Sequence, residues 1–246
     1  MRSYAIGDIH GQLDLLRQAH ALIAADRAAC GDTDAPVIHV GDLVDRGPDS
    51  AGVVRHLIAG QARGENWIVL KGNHDRMFLG FLADPWARDP MLRTEFSWLH
   101  PRLGGPQTLE SYGLREPANR PVEQIHAEAL AAVPRDHVNW LARLPVHVQR
   151  GPALFVHAGI RPGIALQYQT EDDQLWIRGD FLNDPRDHGF LVVHGHTAID
   201  RATHYGNRLN LDSSAGYGGP VSAVVIEGRD AWLLTATGRD PLLAHG

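Results

Sequence analysis

Short apolar runs that stop abruptly in glycine and charged residues recur along this chain, and a stretch of helical spacing follows each of the first three. The N-terminal run to Ile6 is strand-like and leads into Gly7-Asp8-Ile9-His10-Gly11. Gln12–Arg27 then sets Leu13, Leu16, Ala19, Leu22 and Ile23 on one helical face. Val37–Val40 reads as a buried strand ending at Gly41, with Asp42, Asp45 and Arg46 directly after it. Gly47-Pro48 turns the chain, Asp49 or Ser50 supplies a helix cap, and Ala51–Gly60 packs Val53, Val54, Leu57 and Ile58. Trp67–Leu70 is a third strand, followed by Lys71-Gly72-Asn73-His74-Asp75 and a helix reaching Leu82. Strand, polar loop and helix three times over predict parallel strands with helical crossovers, an α/β fold.

Residues 84–121 break this rhythm with Pro85, Pro90, Pro101, Pro106, Pro117 and Pro121. They read as an insertion of short helices near the mouth of a site, with a turn at Gly104-Gly105 before a helix over Thr108–Tyr112. Such a segment is a natural place for substrate choice. Two helices, Val122–Val133 and Arg135–Leu144, come next. Strands Val146–Gln149 and Ala153–Val156 follow, the second ending in His157-Ala158-Gly159. Asp172–Phe181 is a polar helix or turn containing Trp176-Ile177-Arg178, and Leu191–Val193 is a strand running into His194-Gly195-His196-Thr197. Thr203–Tyr205, Arg208–Leu211, Val221–Ile226 and Ala231–Thr235 alternate with glycine-rich turns and are expected to be antiparallel.

At 246 residues the chain fits a single domain over 1–246 with a sizeable core. A net charge of −6 gives no bulk attraction to nucleic acid or to anionic membranes, and no run of about 18 apolar residues spans a membrane. The one cysteine, Cys30, excludes an intrachain disulfide. With no signal-peptide pattern ahead of the first strand, a cytoplasmic location is expected. Of the 15 histidines, His39 is expected in the core, and His20, His56 and His126 on solvated helix faces.

Five apolar strands end in ligand-type residues: Asp8 and His10, Asp42, Asn73, His157, and His196. Ligands gather outside the carboxyl ends of strands in open α/β sheets, so these loops can converge on one crevice. Asp, His and Asn without thiolate suit Mn²⁺, Fe or Zn²⁺ in a reactive site. Asp8, His10 and Asp42 can hold one metal, and Asn73, His157 and His196 a second, with Asp42 bridging. Two such ions outweigh two carboxylates and a hydroxide, so the core attracts an anion and can clamp a phosphoryl group. Arg46 and Arg178 offer bidentate phosphate contacts. His74, its ring held by Asp45, can protonate a leaving oxygen.

Gly7-Asp8-Ile9-His10-Gly11, Gly41-Asp42-Leu43-Val44-Asp45-Arg46-Gly47 and Gly72-Asn73-His74-Asp75 resemble the three signature motifs of the PPP-type serine/threonine phosphatases, within the calcineurin-like metallophosphoesterases. His157-Ala158-Gly159 and Gly195-His196-Thr197 resemble the two later histidine motifs, and the likeness runs over about residues 3–226, closest to compact bacterial and bacteriophage members. The resemblance implies two mixed β-sheets in a central sandwich flanked by helices. It also implies a dinuclear site, Mn²⁺ first with Fe or Zn as alternatives. One metal would be bound by Asp8, His10 and Asp42, and the other by Asp42, Asn73, His157 and His196. His74 with Asp45 would be the acid pair, and Arg46 and Arg178 the phosphate ligands. Direct attack by a metal-bridging hydroxide, without a phosphoenzyme, is implied as well. His194 is not carried over as a ligand.

One departure matters. The third motif ends in Asp75 where typical protein phosphatases have Glu, as in the dinucleoside tetraphosphate hydrolases, whereas the presence of Asp45 favours the phosphatases. The reading is a serine/threonine phosphoprotein phosphatase with broad phosphomonoester activity, its partner a phosphorylated protein or a small phosphate ester. The alternatives are a diadenosine tetraphosphate hydrolase and a non-catalytic metal-binding scaffold.

Overall fold

The computed structural model describes residues 1–244. Two mixed sheets face each other. The first, six-stranded, runs β11-β10-β9-β1-β2-β3, from β1 (Arg2–Ile6), β2 (Val37–His39), β3 (Trp67–Val69), β9 (Ala223–Glu227), β10 (Asp230–Thr235) and β11 (Gly238–Pro241). The second, five-stranded, runs β4-β5-β6-β8-β7, from β4 (His147–Arg150), β5 (Ala153–Val156), β6 (Leu191–His194), β7 (Thr203–His204) and β8 (Arg208–Asn210). In the first sheet β1, β2 and β3 are parallel, and in the second β5, β6 and β8 are.

Strand alternation decides which layer each side chain joins. Ala5, Ile38, Val224 and Ile226 face inward and meet Phe155, Val193 and Leu209 of the other sheet. Tyr4, Ile6, Val37 and Val225 face outward, onto α1 (Leu13–Cys30), α2 (Ser50–Ala62), α3 (Asn73–Ala83) and their neighbours. The outer face of the second sheet, with Leu154, Val156 and Val192, is covered by Ile177 and Phe181. They belong to the segment of α7 (Glu171–Trp176) and α8 (Gly179–Leu182). The sandwich flanked by helices is therefore as expected.

The cap of α2 is Asp49, whose Oδ1 accepts the Gly52 N–H at 2.8 Å. The insertion runs through turns from 84 to 104 before α4 (Gly105–Ser111) and a short 3₁₀ turn at Pro117–Asn119; α5 (Val122–Ala132) and α6 (Arg135–Ala142) follow it.

Four expectations need correction. β8 is parallel to β6 in the second sheet, not part of one antiparallel run with β9 and β10, because its neighbour across the ladder is reached through the long 195–207 connection. Residues 172–181 form two short helices rather than one, and β11 extends the sheet beyond the last strand expected. Nor are His20, His56 and His126 solvated. His126 packs edge-on to Phe81, and its ring nitrogen donates to the Leu82 carbonyl. His20 lies flat on Trp67, with centroids 4.1 Å apart, and bridges two other imidazoles: its Nε2 is 2.9 Å from His39 Nε2 and its Nδ1 3.2 Å from His56 Nε2. A helical pattern on α1 and α2 hides this, because both rings turn into the seam between the two helices and the sheet.

Burial, reinforced by the neighbouring rings, pushes His20 down to about 2; burial likewise pushes His39 down to about 4 and lowers His56. Groups held below their unfolded pKa of about 6.5 bind fewer protons when folded, so their stabilisation is complete above that pH and is lost as pH falls through it. Thermal melts should show stability dropping between about pH 6.5 and pH 4.5. His20→Gln, which keeps polar contacts but cannot titrate there, should flatten this slope; an unchanged slope would refute the stack as its source.

Candidate active site

Parallel strands bring their carboxyl ends to one edge of the sandwich, and the loops leaving them cross the seam between the sheets. The His196 N–H donates to Asp8 Oδ2 at 3.0 Å, and His157 Nδ1–H donates to the Val40 carbonyl at 2.9 Å. Asp8, His10, Asp42, Asn73, His74, His157 and His196 are all buried at this junction. Its backbone is strained: of the seven non-glycine described residues with positive φ, five are His10 (46°), Asp42 (49°), Asp45 (74°), Arg46 (69°) and His196 (65°). Left-handed backbone outside glycine costs about 1–2 kcal/mol per residue and persists where surrounding contacts fix it, typically at functional sites.

Asp42 lies at the centre. Its Oδ1 accepts the His74 backbone N–H at 3.0 Å and is 3.3 Å from His157 Nε2, and its Oδ2 is 3.5 Å from His10 Nε2. Burial opposes its charge, but the fields of His157, His74, His10 and His196 outweigh burial and hold it ionised well below the usual carboxylate range. Asp8 goes the other way: burial, then Asp212 and Asp42, push it up. His10 and His196 are pushed well down by burial first, then by Arg46 and His157 respectively.

The protonation pattern turns lone pairs inward. His10 Nδ1–H donates to the Val44 carbonyl at 2.9 Å, as His157 Nδ1–H does to Val40, so both Nε2 lone pairs face the junction. Asn73 Oδ1, itself an acceptor, stands 2.9 Å from His157 Nε2 and 2.9 Å from His196 Nδ1. Among the described residues, Asp8 Oδ1 and His196 Nε2 are buried without a hydrogen-bond partner. A Cβ on Gly195 would stand 1.8 Å from Asp8 Oδ1, so glycine is what admits the carboxylate.

Acceptors crowded together with fewer donors than lone pairs fit a cation. His10, Asp42 and His74 form one compact ligand group and Asp42, His157 and His196 another, each with its ligand atoms within 4.8 Å. Asp42 belongs to both. The first group takes in His74 rather than Asp8, which stands alongside with its free oxygen. The donor set, nitrogen and oxygen without sulfur, suits Mn²⁺, Fe or Zn²⁺.

Arg46 reaches over this edge: Nη1 donates to His10 Nε2 at 2.5 Å and Nη2 to His74 Nε2 at 3.0 Å. His74 Nδ1–H donates to Asp45 Oδ2 at 2.6 Å, so the ring is oriented from behind and presents Nε2 to the cavity. That cavity, of about 140 Å³, is bordered by Asp42, Asn73, His74, His196, Arg46 and Arg178. Arg178 donates to Thr197 Oγ1 at 3.1 Å and is exposed. Every residue singled out in the sequence for this site is therefore at or beside the junction. Asp75 is not exposed to the cavity; its carboxylate accepts the backbone N–H groups of Leu43 (3.0 Å) and Gly72 (2.8 Å) and ties two loops together. His194 also stays out, its Nδ1–H donating to the Gly195 carbonyl.

Sequence reading missed Asp212 and Tyr217, which border the same cavity. Burial, reinforced by Asp42, pushes the Asp212 carboxyl up to about 6 against the Ser214 N–H it accepts. β8 is a parallel strand, and the rule that read ligand residues at strand ends would have found Asp212 had β8 been assigned as one. Tyr217 is 67% exposed and packs against the Arg46 guanidinium, 4.7 Å from its ring centroid.

The calcineurin-like phosphoesterase family matches residues 1–226. A symmetrical bis(5'-nucleosyl)-tetraphosphatase of Janthinobacterium sp. (strain Marseille) is 31% identical over 168 residues, 66% of this chain and 45% of that protein. One of Chromohalobacter salexigens is 30% identical over 192 residues, 75% of this chain and 55% of that protein. The chain thus spans about half the length of the curated relatives it matches. The crystal structure of a candidate diadenosine tetraphosphatase superposes with a TM-score of 0.64 at 22% identity, covering 98% of this chain and 94% of that one. For the cold-active protein-tyrosine phosphatase of a psychrophilic Shewanella the TM-score is 0.60 at 19% identity, covering 98% and 80%. At these identities the structural likeness is one of fold.

Because Asp42 is common to both ligand groups, Asp42→Asn should lower binding of two divalent ions per chain together. Metal content after gel filtration in limiting Mn²⁺ measures this; one ion retained at full affinity would show that Asp42 serves a single group.

Proposed function

The chain belongs to the calcineurin-like phosphoesterase family, and we propose that it hydrolyses a phosphoanhydride in a dinucleoside polyphosphate, using two divalent metal ions. The observation that carries phosphoryl hydrolysis is the 140 Å³ cavity with Arg46, Arg178 and the Asp45-backed His74 on its walls beside the two ligand groups. Ligand pockets for drug-sized molecules run from about 300 Å³, so this one suits a single phosphoryl group rather than a nucleoside. The rest of the substrate would extend past the exposed ring of Tyr217, which offers a stacking face at the rim. The nucleotide itself is supported by the symmetrical tetraphosphatases among the relatives. It replaces the phosphoprotein as the favoured substrate.

His10, Asp42, Asn73, His157 and His196, with Asp8 alongside, would hold the metals, and Mn²⁺ remains the first choice among them. When bound, they would supply positive charge to the phosphoryl oxygens and lower the pKa of a water. The chain's own residues do the rest. Arg46 and Arg178 neutralise and orient the transferring group through charge-assisted hydrogen bonds. His74, with Nδ1–H fixed on Asp45, turns Nε2 towards the cavity; with Arg46 Nη2 engaged on the phosphoryl group instead of on that nitrogen, a protonated Nε2 would donate to the bridging oxygen of the leaving nucleotide. Desolvation around the buried residues strengthens each of these interactions. Symmetrical cleavage adds one water across the central anhydride and yields two nucleoside diphosphates.

A parallel turnover assay in Mn²⁺ compares diadenosine tetraphosphate with a phosphothreonine peptide. Faster nucleotide cleavage, with nucleoside diphosphate as product, is expected; faster release of phosphate from the peptide would return the site to a phosphoprotein. His74→Asn should lower kcat by about 10²–10⁴ with metal content unchanged, as for loss of a proton donor. Loss of metal would instead make His74 a ligand, as its place in the first ligand group allows.

A further inference from the structure

The insertion, expected to govern substrate choice, also reaches Asp45 with two side-chain hydrogen bonds. This carboxylate is fully buried and accepts three side-chain donors. His74 Nδ1–H donates to Oδ2 at 2.6 Å, Trp98 Nε1–H to the same oxygen at 2.9 Å, and Thr108 Oγ1–H to Oδ1 at 2.7 Å. Two of the three therefore come from residues 98–108. The Asp45 backbone N–H in turn donates to Thr108 Oγ1 at 2.8 Å and to Ser50 Oγ at 3.1 Å. With the Thr108 proton spent on Asp45, the 3.1 Å contact between Ser50 and Thr108 is donated by Ser50.

The same segment fixes the next residue. The Arg46 backbone N–H donates to the Gly104 carbonyl at 3.2 Å. Gly104 has φ +88°, and a Cβ on it would stand 2.2 Å from the Arg46 nitrogen. Asp45 and Arg46 are consecutive left-handed residues, a conformation that does not persist without outside contacts. Trp98 is also packed against the helix that begins with Asn73 and His74: its ring lies 5.3 Å from Phe78 and 4.9 Å from Phe81, centroid to centroid.

We propose that residues 98–108 are a positioning arm of the active site, in which Trp98 and Thr108 fix the Asp45 carboxylate and, through it, the ring of His74. The inference rests on the role proposed above for His74. Asp45 sets the ring's direction only if its own carboxylate plane is set, and His74 supplies one contact of three. A carboxylate held by His74 alone could rotate with it. With Trp98 and Thr108 as fixed donors, the His74 ring has one orientation, aimed at the cavity.

Trp98→Phe removes the indole N–H and keeps an aromatic ring against Phe78 and Phe81. Thr108→Val removes the hydroxyl at nearly constant shape, and Thr108→Ser restores it. With whichever phosphate substrate the parallel assay turns over, Trp98→Phe and Thr108→Val should lower kcat about tenfold or more at unchanged KM, a share of the full contribution of a general acid. Thr108→Ser should recover most of it. Unchanged kcat per folded molecule in both variants would overturn the arm and leave it a packing element.

A second readout needs no turnover. In ¹H–¹⁵N spectra of the metal-free protein, the Trp98 indole resonance, assigned by its absence in Trp98→Phe, should shift on Asp45→Asn. A resonance that stays in place overturns the inference. If the metal-loaded wild type turns over no phosphate substrate, the proposed function fails, and the spectrum still decides whether the arm holds Asp45.

Discussion

The Asp42 carboxylate, ionised and shut away from water, is the constraint on which the rest of this structure depends. A buried charge costs several kcal/mol unless partners replace its hydration. Asp42 has one backbone N–H donor, from His74, and otherwise faces imidazole nitrogens whose protons are turned away towards Val44 and Val40. Asn73 contributes another acceptor and Asp8 an unpartnered oxygen. The protein has built an excess of lone pairs at one point, and it has done so with backbone conformations that are unfavourable in themselves. Neither choice serves stability; both fit the cation-binding centre proposed for this junction, with Arg46 and Arg178 beside it.

What keeps such a centre from collapsing is the rigidity around it. The sandwich core anchors β1, β2 and β3 from one side and β5, β6 and β8 from the other, so ligands enter from two stiff sheets rather than from one loop. Asp75 ties the second and third loops together through two backbone N–H groups, and the insertion braces Asp45 and Arg46. The second-motif loop is thus gripped from three directions. The Asp75 carboxylate serves this bracing and does not border the cavity.

Much of this was legible in the sequence, for a physical reason. Parallel strands must be short, apolar and followed by a turn, so a ligand residue after such a run is conspicuous: Asp8, Asp42, Asn73, His157 and His196 could be read directly. Helix spacing gave α1, α2 and α3 to within about three residues at each end. What escaped was decided by contacts between distant segments. Asp212 follows a strand whose partner in the sheet could not be read locally. Trp98 and Thr108 lie 53 and 63 residues from Asp45, in a proline-rich stretch without periodicity. The stack of His20, His39 and His56 on Trp67 draws on two helices and two strands, each of which looked ordinary alone.

The sheet order has a consequence for the order of synthesis. β1, which delivers Asp8 and His10, lies inside its sheet: Ile6 pairs with His39 on one side and with Ala223 on the other. A ribosome therefore releases every candidate ligand side chain, from Asp8 to His196, before β9, the second of the two strands that flank β1, exists. Until then β1 can pair on its β2 side alone. The pairing of Arg2–Ile6 with Ala223–Glu227 joins segments far apart in the chain, and contacts of such sequence separation are slow to form.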